Sequence, residues 1–230
     1  MKTVLITGVG RGIGLKLVEE FLKRGYAVIG TVRDDAGKQR AEQTAAALGK
    51  AVETHIVELT EQTSVEGLKR ALADRAIDIL INNAGIRGEN DQTYISLDLD
   101  EWLNILQVNT IAPMRVTLAL LPNLLQAEQA KIVTISSAMG SMARERNDAM
   151  AYRSSKTAVN KAMQCLAVDL RPKQVGVYLM HPGWVRTDMG GPEGEVSAEQ
   201  SASGLADTIV NFDLDDSGTF WNYDGEALEW

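Results

Sequence analysis

The feature that most constrains the fold is a short apolar run that ends in a glycine-rich turn. Thr3-Val4-Leu5-Ile6 is rich in β-branched residues, and Thr7-Gly8-Val9-Gly10-Arg11-Gly12-Ile13-Gly14 follows it. Apolar residues then recur at helical spacing over residues 15–22. A strand, a glycine turn and a helix start together form a phosphate-binding element, because backbone N–H groups and the helix dipole face an anion that can approach closely. The usual Gly-x-Gly-x-x-Gly spacing is not kept, since Ile13 stands where the third glycine is expected.

Strand-like runs alternate with helical patterns along the rest of the chain. The predicted strands are residues 3–7, 27–32, 51–57, 77–81, 131–136 and 175–180. This alternation predicts an α/β fold, with a parallel sheet covered by helices on both faces. No second glycine-rich fingerprint or tandem repeat occurs, so residues 1–230 are predicted to form a single doubly wound Rossmann domain.

The run Tyr152-Arg153-Ser154-Ser155-Lys156 carries the clearest indication of chemistry. A phenol has a pKa of about 10 and is a poor acid at neutral pH. Residues four apart share a helix face, so the ammonium of Lys156 is expected to stabilise the phenolate of Tyr152 and to lower its pKa. The tyrosine would then exchange a proton with a reacting oxygen.

Together, the motif Thr-Gly-x-x-x-Gly-Ile-Gly and the tyrosine–lysine pair resemble the short-chain dehydrogenase/reductase family, classical type. Further matches follow in the family's order: Asn82-Asn83-Ala84-Gly85, Asn109, the strand end Ser136-Ser137, and Pro182-Gly183-Trp184-Val185-Arg186-Thr187. Residues 152–192 and the ending 218–230 look closest to the C-factor/sniffer-like branch of carbonyl reductases. With right-handed crossovers, the resemblance implies strand order 3-2-1-4-5-6 and a seventh strand near residues 219–222, hence a seven-stranded, mostly parallel sheet.

The resemblance gives four residues catalytic roles. It implies that Tyr152 protonates a carbonyl oxygen or deprotonates an alcohol, and that Ser137 hydrogen-bonds the same oxygen. Lys156 would lower the pKa of the tyrosine and bind the nicotinamide ribose, and Asn109 would hold a water that links the lysine to solvent. Hydride would come from the cofactor.

The serine assignment has alternatives. Neighbours on a strand point to opposite faces, so Ser136 and Ser137 compete for one role. The family pattern favours Ser137, but the gap to Tyr152 is longer than usual, which leaves Ser136 and Ser141 open.

The expected cofactor contacts lie in the glycine turn, at the ends of the next strands and in the Pro-Gly loop. They are Gly8, Gly10, Arg11, Gly12, Ile13, Gly14, Arg33, Glu58, Leu59, Asn83, Ala84, Gly85, Tyr152, Lys156, Pro182, Gly183, Val185 and Thr187. Glu58-Leu59 departs from the family's common Asp-Val at the adenine-contacting turn.

NADPH is the expected cofactor, in preference to NADH. An NAD enzyme commonly carries an acid at the end of the second strand, which repels a 2′-phosphate. Here Val32 occupies that position and Arg33 follows, so a guanidinium can bind the phosphate, with Arg11 approaching from the other side. Asp34 and Asp35 count against this reading, unless they point to solvent.

Charge and composition limit the kinds of partner that the protein is expected to bind. The formal net charge is −8, and the chain from Thr187 onward holds eleven acidic residues and no lysine or arginine. Such a surface repels nucleic acid and anionic membranes, so neither is an expected partner. No apolar run approaches transmembrane length and no signal peptide is evident, which indicates a cytoplasmic protein. No cluster of His, Cys and carboxylates has metal-ligand spacing, so no metal is expected.

The resemblance also predicts a homodimer. Family members commonly pair through two long helices, here about residues 100–126 and 152–170, and the first of these is apolar on more than one face. The single cysteine, Cys165, lies on the second helix and is expected in the core or an interface.

Three functions compete. The leading interpretation is an NADPH-dependent reductase of a small ketone, aldehyde or quinone. The second is a dinucleotide-binding signalling or regulatory protein of the C-factor type, and the third is a sugar-nucleotide epimerase, for whose substrate domain the chain is too short. The charged loop 144–148 is expected to be solvated and internally ion-paired, with recognition of an anionic substrate as its alternative.

Overall fold

The fold is built on a seven-stranded sheet, which the computed structural model places in the order β3-β2-β1-β4-β5-β6-β7. The structure describes residues 1–89 and 92–230. Every neighbouring pair of these strands is parallel, so the predicted fold class and strand order are confirmed. The strands are β1 (Thr3–Thr7), β2 (Ala27–Val32), β3 (Glu53–Ile56), β4 (Ile79–Asn82), β5 (Lys131–Ile135), β6 (Gly176–His181) and β7 (Phe220–Asn222).

Helices cover both faces of the sheet and enclose two apolar cores. One core lies under α1, α2 and α7, and the other lies under α3, α5 and α6. Strand β1 divides its side chains between them, because Val4 and Ile6 face the first core and Leu5 faces the second. The helices are α1 (Gly12–Lys23), α2 (Asp35–Ala47), α3 (Gln62–Leu72), α4 (Leu99–Leu106), α5 (Ala112–Leu124), α6 (Met150–Leu170) and α7 (Ala198–Asn211).

Strands β3 and β4 each begin two residues later than their apolar runs predict. Strand β3 covers Glu53–Ile56, although the N–H of Val57 still donates to the carbonyl of Val32 at the end of β2. Ile77 precedes β4 and is fully buried, but its N–H donates to the carbonyl of Asn123 on α5 rather than to a strand. Burial of these flanking residues therefore comes from helices and loops.

The long helix predicted over residues 100–126 is continuous from α4 to α5 but contains a π turn, Gln107–Ile111. Pro113 has no N–H to donate to the carbonyl four residues before it. The N–H of Ala112 reaches instead to the carbonyl of Gln107, five residues back. π turns inside α-helices are frequent at functional sites, and Asn109 lies within this one.

The same helix bears on the expectation that no apolar run approaches transmembrane length. Leu99–Leu124 spans 26 residues and contains an 18-residue window with a mean hydropathy of 1.2, so it is long and apolar enough to cross a membrane by those two criteria alone. The core helix of a soluble protein meets the same criteria. Val116, Leu120 and Leu124 are fully buried against the sheet, so this helix forms part of the core.

Candidate active site

The glycine turn lies at the carboxyl edge of the sheet and is braced by the loop after β4. Gly8 has a φ of +73°, and a Cβ on Gly14 would lie 2.2 Å from the Gly8 carbonyl oxygen. Asn83 Nδ2 donates to the carbonyls of Thr7 at 2.9 Å and Gly8 at 3.2 Å. The N–H groups of Asn83 and Ala84 donate to the Thr7 hydroxyl at 3.0 and 3.1 Å. The predicted contact residue Asn83 therefore holds the turn itself.

Helix α1 begins in a way that fits a dinucleotide phosphate. Its N-cap, Arg11, is extended and makes no side-chain cap hydrogen bond, and the first turn holds no acidic residue. The first N–H groups of a helix lack intrahelical partners, and together with the helix dipole they attract an anion. A Cβ on Gly12 would lie 3.6 Å from Thr187 Cγ2, so the Pro-Gly loop closes over the same turn.

The far side of the turn carries exposed arginines. Arg33 follows β2, is exposed and makes no ion pair within the described residues. Arg40 on α2 donates from Nε to the Gly10 carbonyl at 2.7 Å. Sequence reasoning missed Arg40, because only the tertiary fold brings the second turn of α2 beside the glycine turn.

The two acidic residues after Arg33 serve helix α2. Asp34 is its N-cap, and Asp34 Oδ1 accepts from the Gly37 N–H at 2.7 Å. Asp35 lies in the first turn, where a carboxylate suits the helix dipole. The Asp34 carboxylate is thus engaged in capping. Arg11 also has an acidic neighbour, since its Nη1 lies 3.1 Å from Asp188 Oδ2 at the exposed mouth of the turn.

Glu58 points back along its own loop. Its Oε1 accepts from the Thr60 hydroxyl at 2.7 Å and the Thr60 N–H at 3.1 Å. These bonds hold the pKa of Glu58 below its usual value, and the charge of Arg33 acts in the same direction. The Leu59 carbonyl accepts from Arg115 Nη1 at 3.0 Å. The Glu58 carboxylate and the Leu59 carbonyl are both already hydrogen-bonded within the protein. The predicted contact of these two residues with adenine therefore remains a prediction.

Tyr152 and Lys156 lie one turn apart near the N-terminus of α6, and both are buried. Lys156 Nζ lies 5.8 Å from the Tyr152 ring centroid and donates to the Ile135 carbonyl, at the end of β5, at 2.9 Å. Burial lowers the pKa of Lys156 to about 8. A Cβ on Gly85 would lie 3.6 Å from Lys156 Nζ, which places the turn after β4 against the lysine.

The pKa of Tyr152 is shifted in the direction opposite to the sequence expectation. Burial raises it above 10, while the Ser137 hydroxyl and the charge of Arg87 oppose that rise. Burial outweighs them because a phenolate loses its hydration in an apolar site. The phenol consequently keeps its proton at neutral pH.

The structure separates the three candidate serines. The Ser136 hydroxyl donates to Asn160 Oδ1 inside the protein. Ser141 Oγ accepts from the Ala143 N–H at 3.3 Å in the following loop. Ser137 Oγ accepts from the Met139 N–H at 3.1 Å, and the same hydroxyl opposes the rise in the pKa of Tyr152. Strand alternation therefore turns Ser137, and not Ser136, toward the tyrosine.

Asn109 is buried in the π turn and links two parts of the site. Its Oδ1 accepts from the Ile86 N–H at 2.9 Å, and its Nδ2 donates to the Ile86 carbonyl at 2.8 Å and to Ser155 Oγ at 3.0 Å. The side chain thus fastens the loop after β4 to helix α6. The water-holding role stays a prediction.

The loop after β6 brings the remaining predicted contacts to the same edge. The Pro182 carbonyl accepts from the Ser201 hydroxyl at 2.6 Å. Gly183 has a φ of +85°, and Val185 is buried. The hydroxyl of Thr187 accepts from the Gly190 N–H at 3.2 Å.

Gln92 is a buried polar residue that sequence reasoning missed. Its Oε1 accepts from the Tyr152 N–H at 2.9 Å, and its Nε2 donates to the carbonyls of Arg87 at 2.8 Å and Glu89 at 2.7 Å. Its backbone carbonyl accepts from the Met150 N–H at 3.1 Å. Gln92 caps α6 from outside, and no sequence pattern marks such a cap because it lies 60 residues from the helix that it serves.

Within residues 1–89 and 92–230, no group of three or more His, Cys, Asp and Glu side chains is placed to hold a metal ion. The polar groups at the carboxyl edge of the sheet are hydroxyls, amides, a lysine and open backbone N–H groups. This donor set suits a phosphate-bearing organic cofactor and a substrate oxygen.

Comparison with known proteins identifies the family. The model of the short chain dehydrogenase family matches residues 2–197. A protein named C-signal from Myxococcus xanthus is 38% identical over 158 residues, which cover 67% of this chain and 93% of the relative. The carbonyl reductase Sniffer of D. melanogaster superposes with a TM-score of 0.91 at 31% identity, covering all of both chains. The NADPH-bound carbonyl reductase from chicken fatty liver also gives 0.91, at 32% identity, covering 100% of this chain and 99% of that one.

The chain belongs to the short-chain dehydrogenase/reductase family and is an NAD(P)-dependent oxidoreductase. The resemblance to the carbonyl reductase and C-factor-like branch is confirmed.

Proposed function

We propose that this protein is an NADPH-dependent reductase of small carbonyl compounds, also able to oxidise the corresponding alcohols, with Tyr152 as the acid and base. The observation that carries the proposal is the pair of buried residues Tyr152 and Lys156, facing Ser137 at the edge of the sheet where α1 presents its open first turn. The relatives named carbonyl reductases support the substrate class.

The chain's own residues account for proton movement and orientation. When bound, the nicotinamide supplies or accepts the hydride. Tyr152 holds its proton at neutral pH and donates it to the carbonyl oxygen, while Ser137 hydrogen-bonds the same oxygen. Lys156, with a pKa of about 8, is mostly an ammonium at pH 7 and stabilises the phenolate that remains. In the proposed assignment, Asn109 holds the loop after β4 against helix α6, which carries Tyr152 and Lys156.

We infer a preference for NADPH from the cations around the glycine turn. Arg33 forms no ion pair among the described residues, although its charge reaches Glu58, and Arg40 already contacts the turn. Asp34 is engaged as an N-cap. The chicken enzyme was solved with NADPH bound, which supports the same choice.

The substrate site is proposed to be apolar and adaptable. Met142, Trp184 and Met189 are 77%, 48% and 42% exposed. Flexible thioethers adapt to ligands of different shape. This fits small aldehydes, ketones or quinones.

A carbonyl panel tests the function. Aldehydes, ketones and quinones are offered with NADPH, and the loss of its absorbance is followed for the wild type and for Tyr152→Phe. At least one compound should be reduced, and the variant should bind NADPH normally while turnover falls by about 10²–10⁴. A variant that keeps more than about a tenth of wild-type turnover with the best substrate would exclude Tyr152 as the proton donor.

A second candidate is a signalling or regulatory protein that binds the dinucleotide without needing turnover. The 38% identity to the protein named C-signal favours it. Tight NADPH binding without reduction of any panel compound would support this candidate over the reductase.

We further propose a homodimer in the cytoplasm that acts on small molecules, without nucleic acid or membrane partners. Exposed apolar side chains on α4, α5 and α6 support the dimer. They are Leu99, Leu103, Ile111, Leu118 and Val168. Cys165 is exposed on α6, so the expectation that it lies in the core is wrong, and its place in an interface stays a prediction.

A further inference from the structure

A cavity of about 380 Å³ is lined in part by the chain neighbours of two proposed catalytic residues. Two of its lining residues, Ala138 and Met139, directly follow Ser137, and a third, Arg153, directly follows Tyr152. The cavity wall is therefore only one or two residues from both groups proposed to hold the reacting oxygen. The remaining lining residues belong to the charged loop 144–148 and are Arg144, Glu145 and Arg146.

The charges of this cavity are not balanced internally. Arg153 is neutralised, because its Nη2 lies 2.7 Å from Asp148 Oδ1 and its Nε also donates to Asp148. Arg144 and Arg146 are exposed and make no ion pair with any described residue. The one ion pair of the loop within the described residues joins Asp148 to Arg153 on α6, so the expected pairing inside the loop is not found. Glu145 also lines the cavity without an ion pair to a described residue, and its carboxylate offsets one of the two free guanidinium groups, which leaves the loop side of the cavity with one net positive charge.

Positive charge also reaches the reacting centre from the loop after β4. Arg87 acts electrostatically on Tyr152, and its Nε is buried without a hydrogen-bond partner within the described chain. On the other side, the charge of Arg144 is felt at His181, directly before the Pro-Gly loop. The substrate end is thus cationic in a protein whose net charge is −8. Such a local contrast attracts an anion to one place on the surface.

We propose that this cavity is a subsite for a carboxylate of the substrate, held by the guanidinium groups of Arg144 and Arg146 while the carbonyl lies at Ser137 and Tyr152. Guanidinium binds carboxylate through paired hydrogen bonds that fix direction as well as position. The inference rests on the proposed reductase function and narrows its substrates to carbonyl compounds whose carboxylate is separated from the carbonyl by a rigid spacer or short chain.

A matched pair of aldehydes tests the subsite. The values of kcat/KM for 4-formylbenzoate and its methyl ester are measured with NADPH for the wild type, for Arg144→Gln/Arg146→Gln and for the control Arg70→Gln. Arg70 is an exposed arginine on α3 that does not line the cavity. Comparing one ratio across variants cancels the electronic difference between acid and ester.

We expect the wild type to prefer the acid by about tenfold or more at low salt, and the preference to shrink as salt screens the exposed arginines. The double variant should lower the acid-to-ester ratio about tenfold, whereas Arg70→Gln should leave the ratio as in the wild type. A ratio that the double substitution does not move, or moves no more than Arg70→Gln does, overturns the subsite while the reductase function stands. If neither these aldehydes nor any panel carbonyl is reduced, the reductase function fails and the subsite fails with it.

Discussion

At the residue scale, the site is governed by what burial does to two ionisable side chains. Burial raises the pKa of Tyr152 and lowers that of Lys156 to about 8, so each group is shifted toward its neutral form. These shifts suit the proposed roles. A proton donor must start protonated, as Tyr152 does, and Lys156 is still mostly an ammonium at pH 7 that can stabilise a phenolate.

The proposed preference for NADPH also rests on single residues. NADPH should bind more tightly than NADH by about 1.5–3 kcal/mol, the size of a hydrogen bond to a charged group. Arg33→Ala should remove most of this preference, whereas Arg70→Ala, which removes an arginine from α3, should keep it. Titrating both cofactors at fixed salt measures the difference. Equal wild-type affinities, or a preference that survives Arg33→Ala, would refute the assignment.

His181 should make the protein sensitive to acid. Burial, with the charge of Arg144, lowers its pKa to about 4, while Asp224 acts in the opposite direction. The unfolded chain has a histidine pKa of about 6.5, so below that pH the unfolded state binds a proton that the folded state refuses. The contribution to stability is complete above pH 6.5 and is lost as the pH falls toward 4.

We therefore expect His181 to cost about 2 kcal/mol of unfolding free energy between pH 7 and pH 5. Urea unfolding of the wild type and of His181→Gln at both pH values measures this contribution. The variant should lose less stability than the wild type over that interval. Equal losses would show that the neutral buried imidazole is not responsible.

At the element scale, the position of α6 depends on contacts from outside the helix. Its N-cap residue Ala149 has a left-handed φ of 51° and makes no side-chain cap hydrogen bond. The backbone and side chain of Gln92 accept from the first turn instead, and Asn109 holds the same helix through Ser155. The tyrosine is thus placed by two amides on other segments.

Replacing Gln92 with Leu should loosen this attachment. The change leaves the buried Tyr152 N–H without its acceptor, and an unsatisfied buried group costs about 1–3 kcal/mol. The carbonyls of Arg87 and Glu89 belong to half-buried and exposed residues and can bind water instead. We expect a loss of unfolding free energy of about 1–3 kcal/mol, together with a lower kcat and an unchanged affinity for NADPH. Gln92→Glu keeps the acceptor for the Tyr152 N–H and should retain more kcat than Gln92→Leu.

Urea unfolding, single-substrate kinetics and a cofactor titration give the three readouts. If Gln92→Leu kept wild-type kcat despite lower stability, the residue would only support the fold. If both variants lost kcat equally, the bond to the Tyr152 N–H would not be the contact that positions the tyrosine.

At the scale of the whole molecule, the outer side of the helix from α4 to α5 exposes apolar side chains. Leu103, Ile111 and Leu118 are 56%, 48% and 54% exposed and lie along one side of the helix from α4 to α5. The opposite side of that helix is buried in the core. A helix that is apolar on both sides is typical of one that is buried on both.

The protein should be a dimer at micromolar concentration, with a mass in light scattering of twice 25.0 kDa. Leu118→Glu places a charge in the proposed interface and should yield the monomer. Ile56→Glu, at an exposed apolar residue on β3, should leave the dimer intact. A wild-type mass of 25.0 kDa would exclude the dimer.

The sequence by itself predicted which segments form the sheet, because hydrophobic periodicity and glycine turns are patterns of residues that are close together in the chain. The alternation of strand and helix patterns fixed the fold class, and the spacing of Tyr152 and Lys156 fixed the helix face that they share. Strand ends were less predictable: the apolar run 77–81 includes Ile77, whose N–H bonds to the Asn123 carbonyl on α5 and not to a strand, and β4 begins only at Ile79.

The tertiary structure alone decided which groups meet. It turned Ser136 into the interior and Ser137 toward Tyr152, and it brought Arg40 and Gln92 from distant segments to the glycine turn and to α6. It also reversed the expected pKa shift of Tyr152, because spacing on a helix shows which charges are near but not how much water the fold removes. Desolvation and long-range hydrogen bonds depend on the packing of segments far apart in the chain, which no local pattern records.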